Sequence, residues 1–278
     1  MICFNKSKQL NCMRNPYIVK DETQVLKGIM ALLILAHYVY QDTLFGSENP
    51  FVDYFFRSLG YIGVACFFYI SGYGLTVSNI ASWGGDFNTF VLKRILPLYI
   101  INVLLIIVYW IAYTLLLDGV ETKALIQSFF FGGTIVPAGW YLQELLLFYL
   151  LYLMTWKLFP KNYARIIVAL IIVFIAIAIV KLQSHWYLSS FAFAAGIIYA
   201  KSKESIDYII CSFSNYKAVL LSSIIILIVV YMALFFFEIR FAFYNPIKVF
   251  VIAPLLPLIL TLLSSRKKYK KWTVLFYG

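Results

Sequence analysis

Two residues of one apolar segment have side chains that could take part in chemistry. The stretch KGIMALLILAHYVYQ, residues 27–41, begins with Lys27 and reaches His37 after nine residues without a charged or amide side chain. Histidine has an unperturbed pKa of about 6.5 and is the most frequent general base in enzymes. His37 is therefore a candidate base. A structural histidine bonded to a neighbouring helix would explain the same pattern equally well.

Two adjacent cations precede a later apolar segment. Lys93 and Arg94 stand in FVLKRILPLYIIN, residues 90–102, and Pro97 follows them closely. Proline is tolerated in the first turn of a helix, so we expect Pro97 to fall within the first turn of this helix. Arg94 would then lie near free backbone amides, where a guanidinium can clamp a phosphate. The alternative is that both cations are ordinary anchors at the cytoplasmic membrane face.

These residues belong to a very apolar chain. Of its 278 residues, 63% are hydrophobic and 13% are charged, which is more apolar surface than a soluble core can use. The chain must therefore cross lipid several times. Its net charge of +11 does not indicate nucleic-acid binding, because the cations fall in short connections between apolar segments.

About 20 apolar residues are needed for a helix to cross a bilayer. By this measure we predict an all-α fold, a polytopic transmembrane helical bundle with about eight complete spans and the start of a ninth. Residues 1–23 are expected to form a cytoplasmic N-terminal tail and residues 24–278 a membrane domain. The predicted spans are 26–45, 60–79, 91–117, 140–157, 164–182, 186–200, 217–237 and 247–264.

The charges between the predicted spans alternate in sign along the chain. Cations dominate the N-terminal tail and the connections after even-numbered spans, whereas acids dominate the connections after odd-numbered spans. Because cytoplasmic connections are enriched in Lys and Arg, the N-terminus is predicted to be cytoplasmic. His37 would then lie roughly 15 Å beyond Lys27 along the helix, near or just beyond the midplane toward the outside. Polar groups at that depth are costly and are usually functional.

Several of these segments together resemble a known family. The first span has a basic residue, Gly and Ile at its start and ends in His37. The second contains FFYISGYGL, similar to a Phe-Phe-x-x-Ser-Gly-Tyr signature, and the third opens with KRILPLY, similar to Arg-x-x-Pro. With GWYLQELLLFYLLYL in the fourth span, the order resembles the acyltransferase 3 family over residues 24–278. Its members are bacterial integral-membrane enzymes that mostly O-acylate surface sugars.

Three features depart from the family pattern. The usual spacing puts the basic residue and the histidine on one helical face, whereas Lys27 and His37 are about 80° apart, and Tyr38 holds the usual position. Val91 replaces the first arginine of an Arg-x-x-Arg pattern, with Lys93 as a candidate substitute. Members usually have ten spans, so the resemblance implies a C-terminally truncated chain that ends inside its ninth span.

The resemblance implies a reaction and roles for these residues. Acetyl-CoA, or another acyl-CoA, is a cytosolic polyanion, and the cations Lys27, Lys93 and Arg94 are candidates to bind its phosphates. The acceptor hydroxyl, on a glycan or a lipid-linked sugar, is a poor nucleophile and needs a general base, for which His37 is the candidate. The acyl-CoA is a co-substrate, and we expect neither a bound cofactor nor a metal site.

Three further residues are candidates on the outer side of the membrane. Asp42 follows His37 by one helical turn and could orient the imidazole. Glu144 could orient His37 or accept hydrogen bonds from sugar hydroxyls, and Trp140 could stack on a sugar. Each has a plain alternative: a solvated loop acid, an interfacial acid and an aromatic belt at the membrane interface.

Two other functions also fit the sequence. One is a polytopic carrier or flippase for a lipid-linked sugar, although the polar groups gather on the first four spans and no internal repeat is evident. The other is an inactive, truncated remnant of an enzyme. In each case we expect a multi-pass protein of the bacterial cytoplasmic membrane that contacts lipid. The sequence does not indicate an oligomeric state.

Overall fold

The fold comes from a computed structural model that describes most of the chain. The described residues are 20–43, 50–78, 87–117, 119–130, 135–137, 139–159, 162–179, 189–212 and 216–240. Among them every regular element is a helix and there is no strand. The predicted all-α fold class is confirmed.

Eight helices follow one another in the described ranges. They are α1 (Lys20–Thr43), α2 (Pro50–Ser78), α3 (Phe87–Leu116), α4 (Thr122–Ser128), α5 (Gly139–Leu158), α6 (Tyr163–Ile179), α7 (Phe191–Ser212) and α8 (Tyr216–Arg240). All except the short α4 coincide with a predicted span, and the eighth predicted span, 247–264, lies outside the described residues.

Two helices differ most from their predicted bounds. The second predicted span began at residue 60, but α2 begins at Pro50, a residue whose fixed φ suits the first turn. The sixth was predicted at 186–200, whereas α7 runs from Phe191 to Ser212 and includes Lys201 and Lys203. These cations therefore lie in a helix and not in a connection.

Within the part of the chain that the structure describes, three helices are long and apolar enough to cross a membrane. They contain the stretches Thr23–Gln41, Phe55–Ser78 and Phe87–Leu116, and shorter apolar stretches lie in α6 and α8. Leu32 of α1 and Leu104 of α3 are 63% and 56% exposed, as expected where a helix faces lipid. The protein is thus a membrane protein, while the number of complete spans stays a prediction.

One compact unit comprises residues 1–74 and 191–278. In its described part, α2 and α7 approach each other closely at two glycines. A Cβ atom on Gly72 would collide with the carbonyl oxygen of Phe193, and one on Gly196 with the carbonyl oxygen of Tyr69. Small residues at such crossings allow the close backbone packing by which helices associate in lipid.

The other compact unit comprises residues 75–190. Here α3 and α6 both pack against α5. The ring of Phe90 on α3 is stacked with Tyr152 of α5 at a centroid distance of 6.1 Å, and Tyr152 is stacked with Trp156 at 6.4 Å. This aromatic column holds the first turn of α3 against α5.

A π-helical segment, Val91–Ile95, interrupts α3. Pro97 explains it, because proline lacks an N–H and its ring clashes with the carbonyl four residues earlier. The N–H of Leu96 instead bonds to the carbonyl of Val91. The α-helical part, Leu96–Leu116, has Pro97 in its first turn as predicted, but α3 does not start there and already begins at Phe87. Arg94 consequently lies inside the helix and not among the free amides of its first turn.

Candidate functional site

His37 of α1 is hydrogen-bonded to the backbone of α2. Its Nδ1 lies 3.0 Å from the carbonyl oxygen of Phe56. A carbonyl oxygen can only accept, so Nδ1 carries the proton and donates it. In a neutral imidazole the other nitrogen, Nε2, is then the acceptor. The half-buried ring therefore presents its proton-accepting atom away from Phe56.

The space for this imidazole depends on a glycine. A Cβ atom on Gly60 of α2 would lie 2.6 Å from Cδ2 and 2.9 Å from Nε2 of His37. One turn earlier on α2, the ring of Phe56 is stacked on Tyr40 of α1, with a centroid distance of 4.6 Å and an interplanar angle of 6°. The Phe56 carbonyl and the missing side chain of Gly60 together fix where the imidazole can lie.

Three polar side chains meet one helical turn beyond His37. The hydroxyl of Tyr40 donates to Asp53 Oδ1 at 3.3 Å, and Arg57 Nε donates to the same oxygen at 3.1 Å. Arg57 Nε also lies 3.0 Å from Asp53 Oδ2. Arg57 directly follows Phe56, whose carbonyl accepts the hydrogen bond from His37. We name Tyr40, Asp53 and Arg57 the polar cluster.

The two cations of α3 lie in its π-helical segment. Arg94 is half-buried, and its Nη2 donates to Ser78 Oγ, at the end of α2, at 2.8 Å. Lys93 is exposed on the same segment. Single π turns inside α-helices occur frequently at functional sites. Ser78 thus orients a guanidinium beside an accessible ammonium group.

Glu144 is fully buried on α5. It is 0% exposed, and the hydroxyl of Ser190 donates a hydrogen bond to its Oε1. Within the described ranges, its Oε2 has no hydrogen-bond partner. The adjacent Gln143 donates from Nε2 to the carbonyl of Ser128 at 3.1 Å, which ties α5 to the end of α4. Glu144 is thus an interior group of this unit.

Three candidate residues remain, namely Lys27, Trp140 and Asp42. Lys27 is exposed on α1 in the unit that contains His37. Trp140 is half-buried, with its ring edge-on to Tyr141 at 6.5 Å. The side chain of Asp42 lies outside the described residues. The orienting group at His37 Nδ1 is therefore the carbonyl of Phe56, where sequence analysis had suggested Asp42 or Glu144.

The described candidates are divided between the two compact units. Lys27 and His37 belong to one compact unit, and Lys93, Arg94, Trp140 and Glu144 belong to the other. Sequence analysis missed the partners of His37 and Arg94. The i, i+4, i+7 spacing of Asp53, Arg57 and Gly60 could have indicated one face of α2. Nothing in the sequence pointed to the carbonyl of Phe56. Among the described side chains, no group of three or more His, Cys, Asp or Glu could hold a metal ion.

Residues 22–278 match the family model Acyl_transf_3, described as an acyltransferase domain. The match spans both compact units and every helix except the first two residues of α1. No curated protein and no solved structure matches the chain.

Proposed function

Since the chain belongs to the acyltransferase 3 family, and is accordingly a membrane acyltransferase, we propose the following reaction. It moves an acyl group, most simply acetyl, from a cytosolic acyl-CoA to a hydroxyl of a surface polysaccharide or exopolysaccharide sugar. The protein lies in the bacterial cytoplasmic membrane with its N-terminus in the cytoplasm. The alternating charges of its connections support this orientation.

One observation carries the proposal, namely the hydrogen bond from His37 Nδ1 to the carbonyl of Phe56. It leaves Nε2 as the atom that takes the proton of the acceptor hydroxyl while the hydroxyl oxygen attacks the thioester carbon. The carbon–sulfur bond then breaks, and the imidazolium returns the proton to the departing sulfur. The products are a sugar ester and free CoA.

The donor needs fixed cations, because the phosphates of CoA are anionic and do not enter lipid. Arg94 fits this role, since its guanidinium is already oriented by Ser78. A guanidinium can bind two phosphate oxygens at once, whereas an ammonium acts as a point charge. Lys93, exposed beside it, and Lys27 at the start of the first span supply further positive charge.

The acceptor needs hydrogen-bonding groups and a stacking surface. Glu144 has a buried carboxyl oxygen without a partner among the described residues, which suits a sugar hydroxyl. Trp140 lies four residues earlier on the same helix, one turn away, and offers an indole face. Asp42 is the remaining acceptor candidate, from its position in the sequence alone.

The experiment compares the two histidines of the chain in cells that carry each variant. His37→Ala should lower the acetyl content of the surface polysaccharide by about a hundredfold or more, because a general base contributes roughly 10²–10⁴-fold. Its abundance in the membrane should stay normal. His185→Ala is the matched control and should acetylate like wild type.

Two outcomes would speak against the proposal. Full acetylation by the His37→Ala strain would remove His37 as the base. Loss of the polysaccharide itself, with normal acetylation of what remains, would favour a carrier for a lipid-linked sugar.

A further inference from the structure

The polar cluster joins Tyr40 of α1 to Asp53 and Arg57 of α2. Arg57 falls inside the candidate span Phe55–Ser78. It is the third residue of that span, near an end, where a long cationic side chain reaches the membrane interface and thus a water-soluble acceptor. Both members of the ion pair are accessible, since the side chains of Arg57 and Asp53 are 51% and 30% exposed.

An ordinary ion pair between residues four apart on one helix would not explain why Tyr40 also bonds to Asp53. Such surface pairs contribute little to stability. Tyr40, however, comes from α1, is only 2% exposed and still directs its hydroxyl at Asp53. A buried donor from a second helix fixes the carboxylate more firmly than the ion pair alone would.

One turn of α1 and one turn of α2 carry both the polar cluster and His37. Phe56 lies between Asp53 and Arg57 in sequence, and its carbonyl accepts the hydrogen bond from His37. Tyr40 follows His37 by three residues and stacks on the ring of Phe56. The carboxylate and the guanidinium are therefore held on the same turn of α2 whose Phe56 carbonyl orients the imidazole.

We propose that Asp53 and Arg57 bind hydroxyl groups of the acceptor sugar next to the hydroxyl that His37 deprotonates. This inference rests on the proposed function and names the acceptor class, a neutral glycoside with vicinal hydroxyls. A carboxylate has roughly four acceptor positions, so Asp53 can accept from a hydroxyl in addition to Tyr40 and Arg57. Arg57 donates to a neighbouring sugar oxygen. The two charges balance, so the pair gives no net attraction to an anionic sugar.

The test uses the purified full chain in proteoliposomes with saturating acetyl-CoA. Three acceptors are compared: methyl β-glucopyranoside, the corresponding methyl glucuronide and 1-butanol. The wild type should have its lowest KM for the glucoside. Asp53→Asn should raise that KM roughly tenfold to a hundredfold, the range expected for one charge-assisted hydrogen bond, with a smaller change in kcat.

Conservative variants separate binding from a merely structural role. Asp53→Glu should recover part of the lost affinity because it keeps the carboxylate. Tyr40→Phe keeps the stack on Phe56 and should raise the KM several-fold by releasing Asp53. Glu121→Gln is the matched control, because it removes an exposed carboxylate of the other compact unit, and its KM should equal that of wild type.

A second measurement does not depend on turnover. Saturation-transfer NMR should detect the glucoside on the His37→Ala protein, and this signal should be lost when Asp53→Asn is added. The same signal in both proteins would overturn the inference. Equal KM values for wild type, Asp53→Asn and Arg57→Lys would also overturn it.

The remaining outcomes distinguish the two proposals. If the wild type prefers the glucuronide and the Arg57→Lys variant does not, the ion pair binds an anionic acceptor. That result would overturn the proposal of a neutral acceptor. A wild type that acylates none of the acceptors, but binds the glucoside through Asp53, would contradict the proposed function and support the binding site.

Discussion

His37 receives its orientation from a backbone carbonyl, and a glycine leaves the room that its ring needs. The carbonyl of Phe56 selects the tautomer, while the missing side chain of Gly60 allows the ring to lie flat against α2. A carbonyl cannot be removed by a side-chain substitution. Gly60 is therefore the position at which the geometry of the candidate base can be changed without touching the imidazole.

Gly60→Ala should lower acyl transfer at least tenfold, because the added Cβ would lie 2.6 Å from Cδ2 of His37 and push the ring from the Phe56 carbonyl. The rate of sugar acetylation in proteoliposomes measures this. Gly74→Ala on the same helix is the control, since a Cβ there meets nothing within 4 Å. Equal rates for wild type and Gly60→Ala would show that the imidazole position does not limit transfer.

Arg94→Ala should weaken acetyl-CoA binding about tenfold to a hundredfold, since a charge-assisted contact contributes roughly 1.5–3 kcal/mol. Arg94→Lys should recover only part of this affinity, because lysine lacks the bidentate fork. Titration of acetyl-CoA against purified protein in detergent gives the dissociation constants. Arg165→Ala, which removes an exposed cation of α6, is the control. If Arg94→Lys bound the donor like wild type, Arg94 would be no more than a point charge at the membrane face.

At the scale of the helices, α2 is the element on which the candidate base depends. Two-thirds of its membrane-length window, 67%, is buried, against 17% in α1 and 11% in α3. Its residues hold His37 of α1 at one level and contact α7 at another. The α2–α7 crossing is close because Gly72 and Gly196 have no side chains.

Gly72→Ala should lower the melting temperature in detergent, because the new Cβ would collide with the carbonyl oxygen of Phe193, and backbone cannot move aside cheaply. Overpacking of this kind typically costs about 1–3 kcal/mol. Gly74→Ala, two residues away and in open space, should not lower it. A Gly72→Ala protein that melts with wild type would mean that the two helices separate without loss of stability.

At the scale of the whole molecule, charge and apolarity place the chain in the membrane. The matched family covers both compact units, so neither unit is a separate addition to the acyltransferase domain. The exposed aliphatic side chains of α1 and α3 are those expected to contact lipid. The predicted orientation rests on where the Lys and Arg residues lie along this chain of net charge +11.

The orientation predicts opposite accessibility for two connections. In a background without the four native cysteines, Glu121→Cys should react with an impermeant thiol reagent from outside intact cells. Lys161→Cys should react only after the membrane is opened, because the connection that contains it is predicted to be cytoplasmic. Labelling of both positions from the same side would refute the predicted topology.

The sequence by itself determined the helical class, the positions of seven helices, the family resemblance and the choice of His37 as a candidate base. Long apolar segments form helices in lipid because each backbone group must find its hydrogen bond within its own segment, and this is a local property. The bounds of α2 and α7 and the π-helical segment of α3 were not predicted from the sequence. They depend on Pro50, on polar helix ends and on how Pro97 fits into a continuing helix.

Only the tertiary structure decided which groups meet. It paired His37 with the Phe56 carbonyl, Arg94 with Ser78, and Glu144 with Ser190, which lies 46 residues away in sequence. A helix that is apolar all round has no amphipathic period to indicate its inward face. In lipid, that face is chosen by close contacts at small residues such as Gly60 and Gly72. These contacts form only when the helices pack, so no single segment of the sequence contains them.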